Sequence, residues 1–349
     1  MGKPQKKTLK LKKGRLQMKK TLIASAIAAA TLTSNAFAMD PATDLAEMLE
    51  GMPTIYGNIQ LYHASNTTEV GSAETSTNEL SNGGSTLGFT HDHMISDGLT
   101  GFMKAEFEFQ ADDKGSSTGL SKLDEAYIGV KGDFGMAQVG SDDTVYDWID
   151  MIDTSEQIGL GGGIAFQDQG DNFQYVSPEI VDGLMLGLTA PIDSDTRMAG
   201  ILAAKYSMDS LSVALSYAMG REDSVDNVLV EAGDTIGLGV SFGIDDITLL
   251  AQFETKSEGK IAGLDAKDDS DYMAFQGMYA MGQNTFALGY GVKSYGDTLK
   301  EDESKLYLQA LHSLSDNMYA FLEYAMTTDV KGAKGTDSND LAIGAVYAF

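Results

Sequence analysis

From about residue 54 to its last residue, apolar and polar side chains alternate along this chain with a period of two. Successive side chains of a strand point to opposite sides, so this period predicts extended segments with two unlike faces. Met103, Ala105, Phe107 and Phe109 oppose Lys104, Glu106, Glu108 and Gln110. Leu211, Val213, Leu215 and Tyr217 oppose Ser212, Ala214, Ser216 and Ala218. Ile236, Leu238, Val240 and Phe242 oppose Gly237, Gly239, Ser241 and Gly243. The pattern predicts strands over 54–64, 85–93, 99–110, 125–131, 136–141, 172–177, 184–188, 202–206 and 211–218. Further strands are predicted over 236–243, 247–254, 271–281, 285–295, 305–314, 317–328 and 339–349, sixteen in all. A short helix over Asp40–Met52 precedes them.

The connections alternate as well. Short links at 95–98, 132–135, 178–183, 208–210, 244–246, 281–284 and 315–317 are separated by long polar ones at 65–84, 111–124, 142–171, 191–197, 220–234, 256–270, 296–304 and 328–338. Strands of about ten residues suffice to cross a bilayer at a tilt, and an even strand number with short turns at one end is expected of an outer-membrane barrel. Closure is a physical requirement there, because an open sheet edge in lipid leaves backbone groups without partners. The predicted fold is an all-β transmembrane antiparallel barrel of 16 strands. A soluble sandwich is the competing all-β architecture, but it has no reason to alternate its loop lengths.

The start of the chain changes the picture by adding export. Lys19 and Lys20, an apolar stretch from Leu22 to Leu32, and Ala36-Phe37-Ala38 read as a signal peptide cleaved after Ala38, with Met1–Gln17 as an N-terminal extension. The two units are then 1–38 and a barrel domain, 39–349. Residues 1–38 hold nine of the 24 basic residues and none of the 51 acidic ones, so the remainder sets 15 bases against 51 acids, a net −36. Such a balance argues against nucleic-acid binding, which needs basic surface for phosphates. It suits a surface or pore that attracts cations, or life in salty water. With no cysteine, neither disulfides nor thiolate metal sites are available.

The tail Asn339–Phe349 places Leu341, Ile343, Ala345, Tyr347 and Phe349 on one face. It resembles the closing strand of bacterial outer-membrane barrels, and Asn172-Phe173-Gln174-Tyr175-Val176-Ser177-Pro178-Glu179 is similar to the N-x-x-Y-x-S-P segment of Gram-negative general porins. The resemblance covers essentially the whole chain after Ala38. It implies a water-filled homotrimer in the outer membrane among lipid and lipopolysaccharide. It also implies that Tyr347 and Phe349 are read by the barrel assembly machinery, and that the third loop folds into the lumen to narrow it against a row of basic wall residues.

That loop, 142–171, is longer than an ordinary connection, which makes it functional or disordered, and the reading that competes with an inward fold is an external, solvated acidic loop. Asp142, Asp143, Asp147, Asp150, Asp153 and Glu156 surround Tyr146 and Trp148, and its apolar residues need a surface to pack on. The wall departs from the family. Inward positions of the first strand (Tyr56, Asn58, Gln60, Tyr62) carry no base. The wall candidates are Lys104, Lys131, Lys205 and Lys293, with Glu106, Glu108, Glu125, Tyr127, Glu254 and Glu323 inward by parity. The expected function is passive diffusion of small hydrophilic solutes and ions with a preference for cations. The rivals are a substrate-specific porin using Tyr56, Tyr62, Tyr127 and Trp148 as a sliding track, an outer-membrane hydrolase, and a plugged structural or adhesive barrel.

Signals for catalysis are weak. Gly115-Ser116-Ser117-Thr118-Gly119 fits a nucleophile elbow but sits in a polar loop rather than between strand and helix. His91 and His93 share one strand face, which parity assigns to lipid; His63 and His312 have no evident partners. Gly237-Leu238-Gly239 lacks the turn and helix of a dinucleotide site. No enzyme activity, cofactor or metal is expected.

Overall fold

In the computed structural model, residues 51–349 are described, except 114, 116–118, 162, 166, 168, 193–199, 221 and 226–227. The signal peptide, its extension, Arg197, Arg221 and Ser116–Thr118 lie outside the described residues. So does all of the Asp40–Met52 segment but Gly51 and Met52.

Antiparallel neighbours follow chain order from Thr54–Val70 round to Thr336–Ala348, and that last strand pairs back onto the first. The sheet is therefore a closed barrel of 16 staves. Seventeen strand segments take part, because the second stave is broken at Gly83-Gly84. Its lower half, Ser85–Ser96, pairs with the foot of the first stave, and its upper half, Ala73–Asn82, pairs with residues 61–70.

The expected long loop at 65–84 is thus a β-hairpin. Ser65, Asn66, Thr67 and Thr68 continue the first stave, and their partners Thr75–Asn78 are exposed. Alternation fails there because both faces of a hairpin standing clear of lipid are wet, so only the backbone ladder persists. The 220–234 and 256–270 connections likewise carry strands: Glu222–Val225, Val228–Glu231, Lys260–Ile261 and Leu264–Asp265 form a separate four-stranded sheet. At the other end the staves join by tight turns. Asp209 and Asp245 adopt φ of 50° and 52° in two-residue links, the left-handed geometry that matches strand twist.

Parity sorts the two faces as the alternation implies. Leu249, Leu288 and Ile343 are about half exposed on the exterior, whereas Ser216, Gln252, Glu323 and Ala342 are wholly buried inside. An exterior of exposed Leu, Ile and Phe suits lipid rather than water. Closure is completed at the terminus. Gly57 and Phe349 exchange backbone hydrogen bonds of 3.1 and 3.0 Å, and a Cβ on Gly57 would stand 2.9 Å from the Phe349 ring. Glycine there lets the final aromatic lie across the first stave.

Candidate functional site: the loop-lined lumen

The 142–171 connection turns into the barrel. Thr144 caps a 3-10 turn, Val145–Ile149, by accepting a hydrogen bond from the Tyr146 amide at 3.2 Å. Val145, Tyr146 and Ile149 are buried against Ala203, Ala214 and Ala218, small inward residues of adjoining staves. The Val145 amide donates to Thr189 Oγ1 at 3.1 Å, and Ser216 Oγ donates to the Tyr146 carbonyl at 3.2 Å. Wall glycines set how close the loop can come. A Cβ on Gly239 would overlap the Ile149 carbonyl, and one on Gly187 would stand 2.7 Å from the Trp148 indole.

Two wall carboxylates hold the rest of the loop. Glu323 accepts from the amides of Glu156 (2.6 Å), Gln157 (2.8 Å) and Ile158 (2.8 Å), from Tyr307 Oη (2.8 Å) and from Gln309 Nε2 (2.9 Å). Glu254 accepts from the amides of Gly163 (2.9 Å) and Ile164 (3.0 Å), from Tyr146 Oη (2.8 Å) and from Gln252 Nε2 (2.8 Å). Buried charge needs such saturation with donors. Gln309 also donates to the Thr154 carbonyl at 3.1 Å, Gln276 bonds Thr154 Oγ1, and Lys305 donates to the Gly159 carbonyl at 3.1 Å. Glu156 accepts from Tyr319 Oη (2.8 Å) and Gln60 Nε2 (3.3 Å).

Glu254 and Glu323 were expected on the open lumen wall. They are 4% and 0% exposed, so they anchor the loop and do not line open water. Lys104 was expected as a wall cation. It is instead buried in an ion pair with Glu125, with Glu106 at 4.0 Å. Lys131 pairs with Asp92 at 2.8 Å over the Phe102 ring, near the short-turn end. Glu108 pairs with Lys122 at 2.8 Å, and Tyr127 packs edge-on to Phe102. Lys205 shares the inward face of Ile201 and Ala203. Lys293 lies 5.4 Å from the Tyr295 ring centroid.

Within the loop, Asp142 and Asp147 accept from Gln138 and Gln167, Asp143 from Gln169, while Asp143 and Asp153 are exposed. Asp150 is half-buried. Burial pushes Asp142 and Asp147 up to about 6 each. The nearby Glu125 charge adds to the Asp142 shift and that of Asp143 to the Asp147 shift, against the lowering effect of their glutamine donors. Burial also raises Glu156, against its bond from Tyr319.

Sequence reasoning placed Gln60 inward without foreseeing its bond to the loop, and missed Gln276, Gln309, Tyr307 and Tyr319. The signal was present: glutamines at inward positions are amides that need partners, and the loop supplies them, as the Glu156 carboxylate for Gln60, Thr154 Oγ1 for Gln276 and the Thr154 carbonyl for Gln309. His312, expected to stand alone, has Nδ1 2.9 Å from Asn284 Oδ1. The rings of His91 and His93 stack 6.4 Å apart, and no group of three or more potential metal ligands occurs among the described residues.

A closed 16-stave barrel, apolar outside and with a long loop fixed inside, defines a transmembrane β-barrel of the channel-forming kind. The chain belongs to the Gram-negative porin family, whose model matches residues 24–333. Among curated relatives it is similar to a monosaccharide porin of a Halomonas species and to the major outer membrane protein of Halomonas elongata. Each is 29% identical over 384 aligned positions, covering 95% of this chain and 100% of the relative. Among solved structures it resembles an anion-selective porin from Comamonas acidovorans (TM-score 0.73, 17% identity, 85% of this chain and 99% of that one). It also resembles the trimer form of OmpT from Vibrio cholerae (TM-score 0.60, 16% identity, 85% and 99%). At these identities the structures show the fold. Family membership makes the protein an outer-membrane porin, a channel-forming barrel.

Proposed function

We propose that the barrel is a water-filled passive channel for small hydrophilic solutes and ions, selective for cations and assembled as a homotrimer. The observation that carries the selectivity is the charge on the wall the loop leaves open. Glu106 keeps a partly exposed carboxylate on the third stave, Glu108 on the same stave is partly exposed and paired with Lys122, the inward base Lys104 is consumed by Glu125, and Asp142 and Asp143 stand at the root of the loop. Fixed negative charge in a water-filled pore concentrates cations and excludes anions. On this reading the signal peptide exports the chain, cleavage follows Ala38, and Tyr347 and Phe349 present the tail to the assembly machinery, with lipid and lipopolysaccharide around the finished barrel. No cofactor takes part.

Reversal potentials in a KCl gradient test it. Cation preference should be marked in dilute salt and fade toward 1 M, as the Debye length shrinks from about 10 Å to about 3 Å. Glu106→Gln with Glu108→Gln should reduce it without loss of folded barrel. Anion preference in dilute salt would sink the selectivity.

A second reading, a monosaccharide channel, is favoured by the relative of that name, which this chain spans in full. The inward Phe102–Tyr127 pair, with ring centroids 6.2 Å apart, supplies apolar faces a sugar ring could follow. Saturable, sugar-specific block of the current distinguishes it from simple diffusion.

A further inference from the structure

Between the wall and the returning limb of the third loop lies a cavity of about 110 Å³, bounded by Leu160 and Ile164 on the loop and by Tyr272, Lys293, Glu303 and Lys305 on the wall. It sits toward the long-loop end. Lys293 is third from the end of Asn284–Tyr295, and Lys305 is third from the start of Glu303–Ser313. The loop's bonds to Gln276, Gln309 and Glu323 lie further down on Glu303–Ser313 and on the staves that flank this pair, toward the tight turns. A solute entering from the long-loop side therefore meets this cavity before the narrowed lumen.

The ladder fixes which groups converge. Gly291 faces Lys305 and Lys293 faces Glu303 across the strand pair, so the two lysines are diagonal neighbours on one face, roughly 7–8 Å apart at their backbones and within reach of one ligand. Gly291 adds no side chain to the space. Lys305 gives one proton to the Gly159 carbonyl at 3.1 Å and retains two. The Lys293 ammonium lies over the Tyr295 ring. Glu303 accepts from the Lys331 backbone amide, which fixes its carboxylate at the rim. This stretch of wall thus carries two ammonium groups and one carboxylate around an apolar pocket floor.

A cavity of about 110 Å³ has room for a small end group. Two ammonium donors converging from adjacent strands suit the two oxygens of a carboxylate, with charge-assisted bonds. Leu160 and Ile164 offer a surface to a short carbon chain, which a hydrated inorganic anion cannot use. We propose that this cavity is a binding station for small organic carboxylates, and that 2-hydroxy monocarboxylates such as lactate fit it best. The carboxylate lies between Lys293 and Lys305, the hydroxyl donates to Glu303, and the carbon chain rests on Leu160 and Ile164. The station rests on the channel reading for its physiological use but not for its chemistry.

The test is calorimetric titration of the purified, folded full-length barrel with lactate and with lactamide, its neutral analogue. Saturable binding of one lactate per chain is expected, with no measurable lactamide binding. Lys293→Gln should weaken lactate at least tenfold and Lys293→Arg should restore it. Lys334→Gln, which removes only the outer pair with Glu301, should change nothing. Glu303→Gln should weaken lactate more than propionate. Equal binding of lactamide, unchanged binding by Lys293→Gln, or the absence of saturable heat overturns the station. Bilayer currents on the same preparation separate the two readings. Ion conduction without lactate binding removes the station alone, and lactate binding without conduction removes the channel and leaves the station in place.

Discussion

The inward wall of this barrel is two surfaces. From Ile201–Met208 round to Met318–Thr328, at the level the third loop covers, most inward side chains are small or amide-bearing and dry: Ala203, Ala214, Ser216, Gln252, Ala274 and Gln309 are all under 9% exposed. On the third and fourth staves the inward face brings out charge, with side-chain exposures of 13% at Glu106, 25% at Glu108 and, past a bulge at Asp124 that reverses the parity, 64% at Lys122. Strand period says which residues face the lumen. The path of the third loop decides which of those are wet. An inward carboxylate is therefore an anchor on the covered side and a fixed pore charge on the open side, although the local sequence reads alike.

The sharpest way to break this division is to remove an anchor. Glu323→Leu leaves three loop amides, Tyr307 Oη and Gln309 Nε2 without their acceptor, and each buried donor stranded in this way costs about 1–3 kcal/mol. The barrel should assemble, but the loop tip should leave the wall. Single-channel conductance should rise and become noisy, and protease should cut between residues 153 and 160. A quiet channel of unchanged conductance would mean that Glu323 holds nothing.

A smaller effect compares the two faces at one level of the last stave. Ile343→Lys puts a charge into lipid, at about 2–4 kcal/mol near the midplane, and should lower the yield of heat-modifiable barrel. Ala342→Lys points inward, but Ala342 is wholly buried beside Phe321. Reading by parity alone makes this change mild. The dry wall makes it costly too, by about 1–3 kcal/mol of overpacking, with altered conductance in what does assemble. Near-normal yield for Ala342→Lys would show the covered wall to be looser than its packing implies.

Much of this was legible in the sequence for a physical reason. Lipid outside and a lumen inside impose the two-residue period on every stave, so all sixteen strands and their faces could be read locally. Where both faces meet water, as at Ser65–Thr68, the period lapsed and a hairpin read as loop. The loop's inward turn showed in its length and in Val145, Trp148 and Ile149, which needed a surface. What could not be read was pairing between distant segments. Nothing near Glu254 or Glu323 in sequence shows that amides of residues 156–164 come to them, and nothing near Lys104 says that Glu125 neutralises it. Those contacts depend on closure of the whole barrel, and they reassigned three of the expected wall charges.

The smallest predicted effect concerns the loop's own charges. Burial holds Asp142 and Asp147 up at about 6, against an ordinary aspartate near 3.9. At pH 7.5 both are ionised and add to the cation preference set by Glu106 and Glu108. As pH falls they lose about half of that charge by pH 6, so selectivity in dilute KCl should decline with a midpoint near 6. The stability sign runs the other way. A carboxyl whose folded pKa is raised favours the docked loop in its neutral form, so its contribution is complete below about 3.9 and is lost as pH rises through 6. Acid should therefore tighten the loop while it weakens selectivity, and channel noise and cation preference should fall together between pH 7.5 and 5. Asp142→Asn with Asp147→Asn should hold both quantities level across that range. A wild-type midpoint below pH 5, or a profile unchanged in the double variant, would place the titrating charge on the open wall instead of the loop.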